Sequence, residues 1–111
     1  MNTNNIGFNP DYEEETVTFE KIGELRGKAI IEFGAPWCTH CQAATPAVKE
    51  AFAEHSALPH IKIYDGKGKK LGRAFKVKLW PTLILLQDGK EVARIVRPIH
   101  PDEVRQLIAK N

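Results

Sequence analysis

Residues 30–41 read Ile-Ile-Glu-Phe-Gly-Ala-Pro-Trp-Cys-Thr-His-Cys, and the fold follows from how this stretch is parsed. Residues 28–33 (KAIIEF) form a compact apolar run after Gly27, too short for a helix, which predicts a buried central strand. Gly34, Ala35 and Pro36 end it. Beyond Cys38 the residues Cys41, Ala44, Val48, Ala51, Phe52 and His55 recur at helical spacing up to Leu58-Pro59. Pro46 lies inside that pattern and is expected to kink the helix. The two cysteines therefore fall where a strand and loop give way to a helix.

Working outward, residues 60–64 (HIKIY) alternate and read as a strand, residues 65–68 as a turn, and residues 69–76 as a short basic helix. An apolar run over 82–87, the pair Asp88-Gly89 and an alternating run over 90–97 predict an antiparallel hairpin. Residues 101–110 open on Pro101, carry acids in the first turn and present Val104, Leu107 and Ile108 on one face, a closing helix. On the N-terminal side, a Thr-Val-Thr-Phe run from Thr16 suggests a strand, and residues 20–25 a brief helix that Gly27 ends. Residues 1–15, rich in Asn and acid, read as an arm, poorly ordered or draped, ahead of a single domain over 16–111. The alternation of strands and helices predicts an α/β layered fold with a mixed sheet covered by helices.

The chain has 111 residues, enough to bury a core without a disulfide scaffold. Sixteen Lys and Arg against fourteen Asp and Glu leave a formal charge of +2, too balanced to point to nucleic acid. No apolar run approaches the roughly 18 residues of a membrane span. The first basic residue, Lys21, follows an acidic segment that resembles neither a secretory signal nor a transit peptide, so a cytoplasmic location is expected.

Cys38-Thr39-His40-Cys41 has a redox spacing. At a helix start the first sulfur faces unpaired backbone N–H groups and the positive end of the helix dipole, which favour a thiolate. The second lies on the same helix face, within disulfide reach. The first can attack a substrate disulfide and the second resolve the mixed disulfide. Two other readings compete. A zinc site needs about four ligands, which a single pair reaches only with help from His40, His55, His60 or His100. A purely structural disulfide would close so short a loop that it contributes little.

The stretch IIEFGAPWCTHC, with Pro46 five residues after the second cysteine, and then WPTLILLQDGKEV, resembles thioredoxin over residues 16–111, loosely through 55–75. The resemblance implies a thioredoxin fold with a central sheet of four to five strands. It implies an exposed nucleophile at Cys38, a buried resolving thiol at Cys41, and Pro81 as a cis-proline exposing the backbone before it to an extended substrate. Glu32 occupies the place of the family's buried Asp. Burial raises a carboxyl pKa and would make Glu32 a proton acceptor for Cys41. The resemblance further implies Trp37 packed beside the cysteines as a shield, with Thr39 and His40 completing the active-site environment.

Trp80 and Arg97 depart from the smaller residues usual at their positions and put bulk and charge at the substrate-facing rim, beside Pro81. The expected activity is thiol–disulfide exchange with protein substrates, as a monomer and without a cofactor beyond the Cys38-Cys41 pair. A thioredoxin reductase or another dithiol donor would supply electrons. Thr39-His40 stands where thioredoxin has Gly-Pro, and its His resembles that of protein disulfide isomerase, which keeps an oxidase or isomerase as the alternative. A redox-inactive binding module is the non-enzymatic one. The seven basic residues within 62–78, against Asp65 alone, read as a solvated face or a dock for an acidic partner.

Overall fold

The computed structural model describes residues 6–14 and 17–111. In chain order the elements are α1 (Phe19–Gly23), β1 (Lys28–Gly34), α2 (Thr39–Phe52), β2 (His60–Tyr64), α3 (Lys70–Ala74), β3 (Thr82–Gln87), β4 (Lys90–Val96) and α4 (Pro101–Ile108). The sheet order is β2-β1-β3-β4, with β1 parallel to β2 and antiparallel to β3, and β3 antiparallel to β4. The mixed sheet follows from the connections. A helix carries the chain from β1 to a parallel β2, whereas the two residues Asp88 and Gly89, both at positive φ, return β3 directly into β4.

Alternation along the strands divides the core in two. Ile30, Leu83 and Leu85 pack with Val48, Ala51 and Phe52 of α2 and with Val104, Leu107 and Ile108 of α4. Ile31, Phe33, Ile84 and Leu86 face the other way, against Ile22 of α1 and Leu71 and Phe75 around α3. Because successive side chains of a strand point to opposite faces, Glu32 falls on the same side as Ile30, beneath α2. The strand alternation thus places one carboxylate on the α2 side of the sheet, among largely apolar side chains.

The strand expected from Thr16 does not form over its described part. Thr16 itself lies outside the described residues, and Thr18 caps α1, its Oγ1 accepting the backbone N–H of Lys21 at 3.2 Å. That local bond competes with sheet pairing and wins at a helix start. Residues 6–14 run along β2: the N–H of Gly7 donates to the Leu58 carbonyl at 2.7 Å, that of Glu13 to Lys62 at 3.0 Å, and that of Tyr64 to Glu13 at 2.7 Å. This short edge pairing carries Asn9 and Tyr12 over the end of the sheet where Glu32 lies.

Candidate active site

Cys38 is the N-cap of α2, with extended backbone (φ −78°, ψ 121°), and its Sγ accepts the Cys41 backbone N–H at 3.2 Å. A sulfur in the place of a capping oxygen meets the first-turn N–H groups and the positive helix end, an arrangement that favours negative charge there. Both thiols are free. The expected contrast between an exposed Cys38 and a buried Cys41 is narrow, since they are 8% and 2% exposed. Both sit in a small cluster with Ala35 that Tyr12 and Trp80 cover, so Cys38 offers only a window to solvent. Burial, and then its hydrogen bond with Cys38, push the Cys41 thiol up to about 12.

Glu32 is 3% exposed and fully engaged. Tyr12 Oη donates to its Oε2 at 2.5 Å, and His60 Nε2 lies 2.9 Å from its Oε1. The tautomer of His60 follows from its other nitrogen. Nδ1 accepts the backbone N–H of Asn9 at 2.9 Å, so the ring proton sits on Nε2 and points at Glu32. Lys62, opposite Glu32 in the parallel register, is itself buried, with Nζ 3.1 Å from the Pro10 carbonyl and 4.2 Å above the Tyr12 ring.

The carboxyl is accordingly not raised, as burial alone predicts. Burial does push it up, but the His60 hydrogen bond, the Lys62 charge and the Tyr12 hydrogen bond together hold it below the usual range. Lys62 likewise leaves the basic face to which the sequence assigned it.

At the rim, the Trp80–Pro81 peptide bond is cis, and Trp80 packs on the cysteine cluster while its Nε1 donates to Asp65 Oδ2 at 2.9 Å. Trp37 stands at the rim beside Trp80. It is 61% exposed, donates Nε1 to Tyr64 Oη at 3.2 Å, and stands edge-on to Trp80 with ring centroids 5.5 Å apart. Arg97 has φ 54°, and turns inward: its N–H bonds the Pro81 carbonyl at 2.9 Å and its Nε the Trp80 carbonyl at 2.8 Å. Thr39 and His40 are exposed on the first turn of α2. Among the described residues no group of three or more His, Cys, Asp or Glu is placed to hold a metal ion.

The sequence does not point to Tyr12 or Asn9, and points to His60 only as a candidate zinc ligand and to Lys62 only as part of the basic run. The one available signal was the alternation of HIKIY, which puts His60 and Lys62 on a single face of a strand beside the acid-bearing one. Nothing local pointed to Tyr12 or Asn9, which reach the site through pairing remote in sequence.

A four-stranded mixed sheet with a C-x-x-C pair at the start of α2, flanked by a cis-proline loop, defines a thiol–disulfide oxidoreductase. The family model described as Thioredoxin matches residues 12–110. The chain is 36% identical over 88 residues to a thioredoxin of Chlamydia pneumoniae, covering 77% of this chain and 83% of that one. It is 27% identical to a thioredoxin of Mycoplasma pneumoniae, covering 86% and 97%. The reduced form of thioredoxin 2 from Pseudomonas aeruginosa superposes with a TM-score of 0.77 at 44% identity, covering 86% of this chain and 88% of that one. The chain belongs to the thioredoxin family, and is a protein-disulfide oxidoreductase.

Proposed function

We propose that Cys38 is the attacking sulfur and Cys41 the resolving one. Cys38 Sγ displaces one sulfur of a client disulfide, forming a mixed disulfide and releasing the first client thiol. Cys41, once its proton has left, attacks Cys38 Sγ, closing the Cys38-Cys41 disulfide and releasing the second client thiol. Two electrons pass to the client. Glu32, kept ionised by the donors that hold it below the usual carboxyl range, is the acceptor of the Cys41 proton. The pair alone carries the redox change, with no cofactor.

The observation that carries this reading is the placement of Cys38 Sγ as the cap of α2, receiving the Cys41 N–H, over a thiol whose own ionisation burial opposes. Trp80, Pro81 and Arg97 form the rim on which an extended client segment docks, and Trp37, Thr39 and His40 line the approach. Residues 16–111 act as one domain preceded by an arm, residues 1–15, whose described part, 6–14, pairs along β2. Clients are protein disulfides, a thioredoxin reductase or another dithiol donor restores the dithiol, and the protein works as a cytoplasmic monomer. No helix among the described residues is long and apolar enough to cross a membrane.

Trapping tests the assignment. Cys41→Ser should accumulate a mixed disulfide with a client on non-reducing gels, and Cys38→Ser should capture none. Equal trapping by the two variants overturns it.

A further inference from the structure

Gly34 is the last residue of β1 and lies beside both functional groups of the buried site. A Cβ on Gly34 would stand 2.5 Å from Tyr12 Oη and 2.6 Å from Cys41 Sγ, closer than real Cβ contacts come. The space that a side chain would take is therefore bordered by both the phenol oxygen and the resolving sulfur, and Tyr12 packs on the cysteine cluster. On its far side the same hydroxyl donates to Glu32 Oε2. No hydrogen bond links Glu32 to Cys41 directly. Tyr12 is the group between them.

We infer that Tyr12 is a proton relay in the resolving step, carrying the Cys41 proton to Glu32 across the gap left by Gly34. The inference rests on the resolving role of Cys41 proposed above. As Cys41 Sγ approaches Cys38, its proton passes to Tyr12 Oη while the phenol's own proton passes to Glu32 Oε2. The phenol is neutral before and after, Glu32 becomes the carboxylic acid, and the Cys41 thiolate forms its bond to Cys38 Sγ. The Cys38–client bond breaks, and the client thiolate leaves and takes a proton from water. Burial and the neighbouring Glu32 carboxylate push the phenol far above its ordinary range, so a free phenolate is not an intermediate and the two transfers occur together.

A cleft of about 230 Å³ lined by Pro10, Tyr12, Cys41 and Lys62, among others, opens beside the relay and lets Glu32 return its proton to solvent through Tyr12 after turnover.

Tyr12→Phe isolates the hydroxyl, because the ring that lies under Lys62 Nζ remains. Single-turnover kinetics with a fluorogenic peptide disulfide separate formation of the mixed disulfide from its resolution. Resolution should slow about tenfold or more in Tyr12→Phe, in line with the range for positioned proton transfer, while attack by Cys38 is unchanged. Equal slowing of both steps would mean a structural role and overturn the relay. Resolution at the wild-type rate in Tyr12→Phe but not in Glu32→Gln removes Tyr12 and leaves Glu32 as acceptor. Wild-type resolution in both variants removes the proposed proton path altogether. A proton inventory on the wild-type protein needs no variant to fold: a curved dependence of the resolution rate on deuterium fraction supports two protons in flight, and a linear one overturns it.

Discussion

Asn9 sets the tautomer of His60: its backbone N–H occupies Nδ1 at 2.9 Å, which leaves Nε2 as the donor to Glu32. The ring is also wedged against Phe52, stacked with centroids 4.6 Å apart. Nitrogen-15 spectra should show His60 with its proton on Nε2. His60→Ala removes the Glu32 partner and opens a hole beside Phe52, and should lower the unfolding free energy by about 3 kcal/mol. An unchanged denaturant midpoint would show that the ring holds nothing.

Glu32 makes stability depend on acid. Its carboxyl is held low in the folded state, so the folded form binds that proton less readily than the unfolded chain. The contribution is present above the unfolded carboxyl pKa of about 4.3 and is lost as pH falls through the folded value below it. Melting curves should therefore fall more steeply from pH 5 downward, by roughly that account, in the wild type than in Glu32→Gln, whose amide does not titrate. Parallel curves would place Glu32 in water.

Cys41 behaves in the opposite sense. With its thiol pushed up to about 12, it stays protonated at pH 8, where iodoacetamide should modify Cys38 alone in the native reduced protein. The linked stability is present below the unfolded thiol pKa of about 8.5 and is lost as pH rises from there toward the folded value. Two carbamidomethyl groups on the native protein, counted by mass spectrometry, would contradict this.

Gly34→Ala drives a methyl into the space held by Tyr12 Oη and Cys41 Sγ. Overpacking of this kind should cost about 1–3 kcal/mol of stability and slow resolution by displacing the phenol from Glu32. A melting temperature and a resolution rate equal to those of the wild type would show the gap to be larger than described.

His40 stands exposed on the first turn of α2, one residue into the helix from the attacking cysteine's neighbour Thr39. An imidazolium about 5 Å from a thiolate contributes on the order of 1 kcal/mol in water-like surroundings. For a two-electron couple that is worth about 20 mV toward the oxidising side. His40→Pro should shift the potential by that much in the reducing direction in a redox titration against glutathione. A shift the other way, or none beyond error, would remove His40 from the redox balance.

The layers, the hairpin, the two main helices and the cysteine pair were all legible in the chain itself, because each is written in short-range terms. Periods of two and 3.6, a turn pair at Asp88-Gly89 and a three-residue cysteine spacing need no knowledge of what lies across the core. The strand read from Thr16 failed for a local reason too, since a threonine that caps a helix and one that fills a strand look alike until the N–H it meets is known. What surrounds Glu32 is of a different kind. Its hydroxyl partner is 20 residues away, its imidazole partner 28, and the backbone N–H that orients that imidazole 51 residues from it. An acid in an apolar strand announces only that it is buried. Whether it is pushed up or held down depends on which donors the fold brings to it, and that was decided when residues 6–14 paired along β2, set Tyr12 at the gap by Gly34 and brought Asn9 to His60. Hydrogen bonds act over about 3 Å, and the chain positions that close to that distance are chosen by strand pairing rather than by sequence spacing.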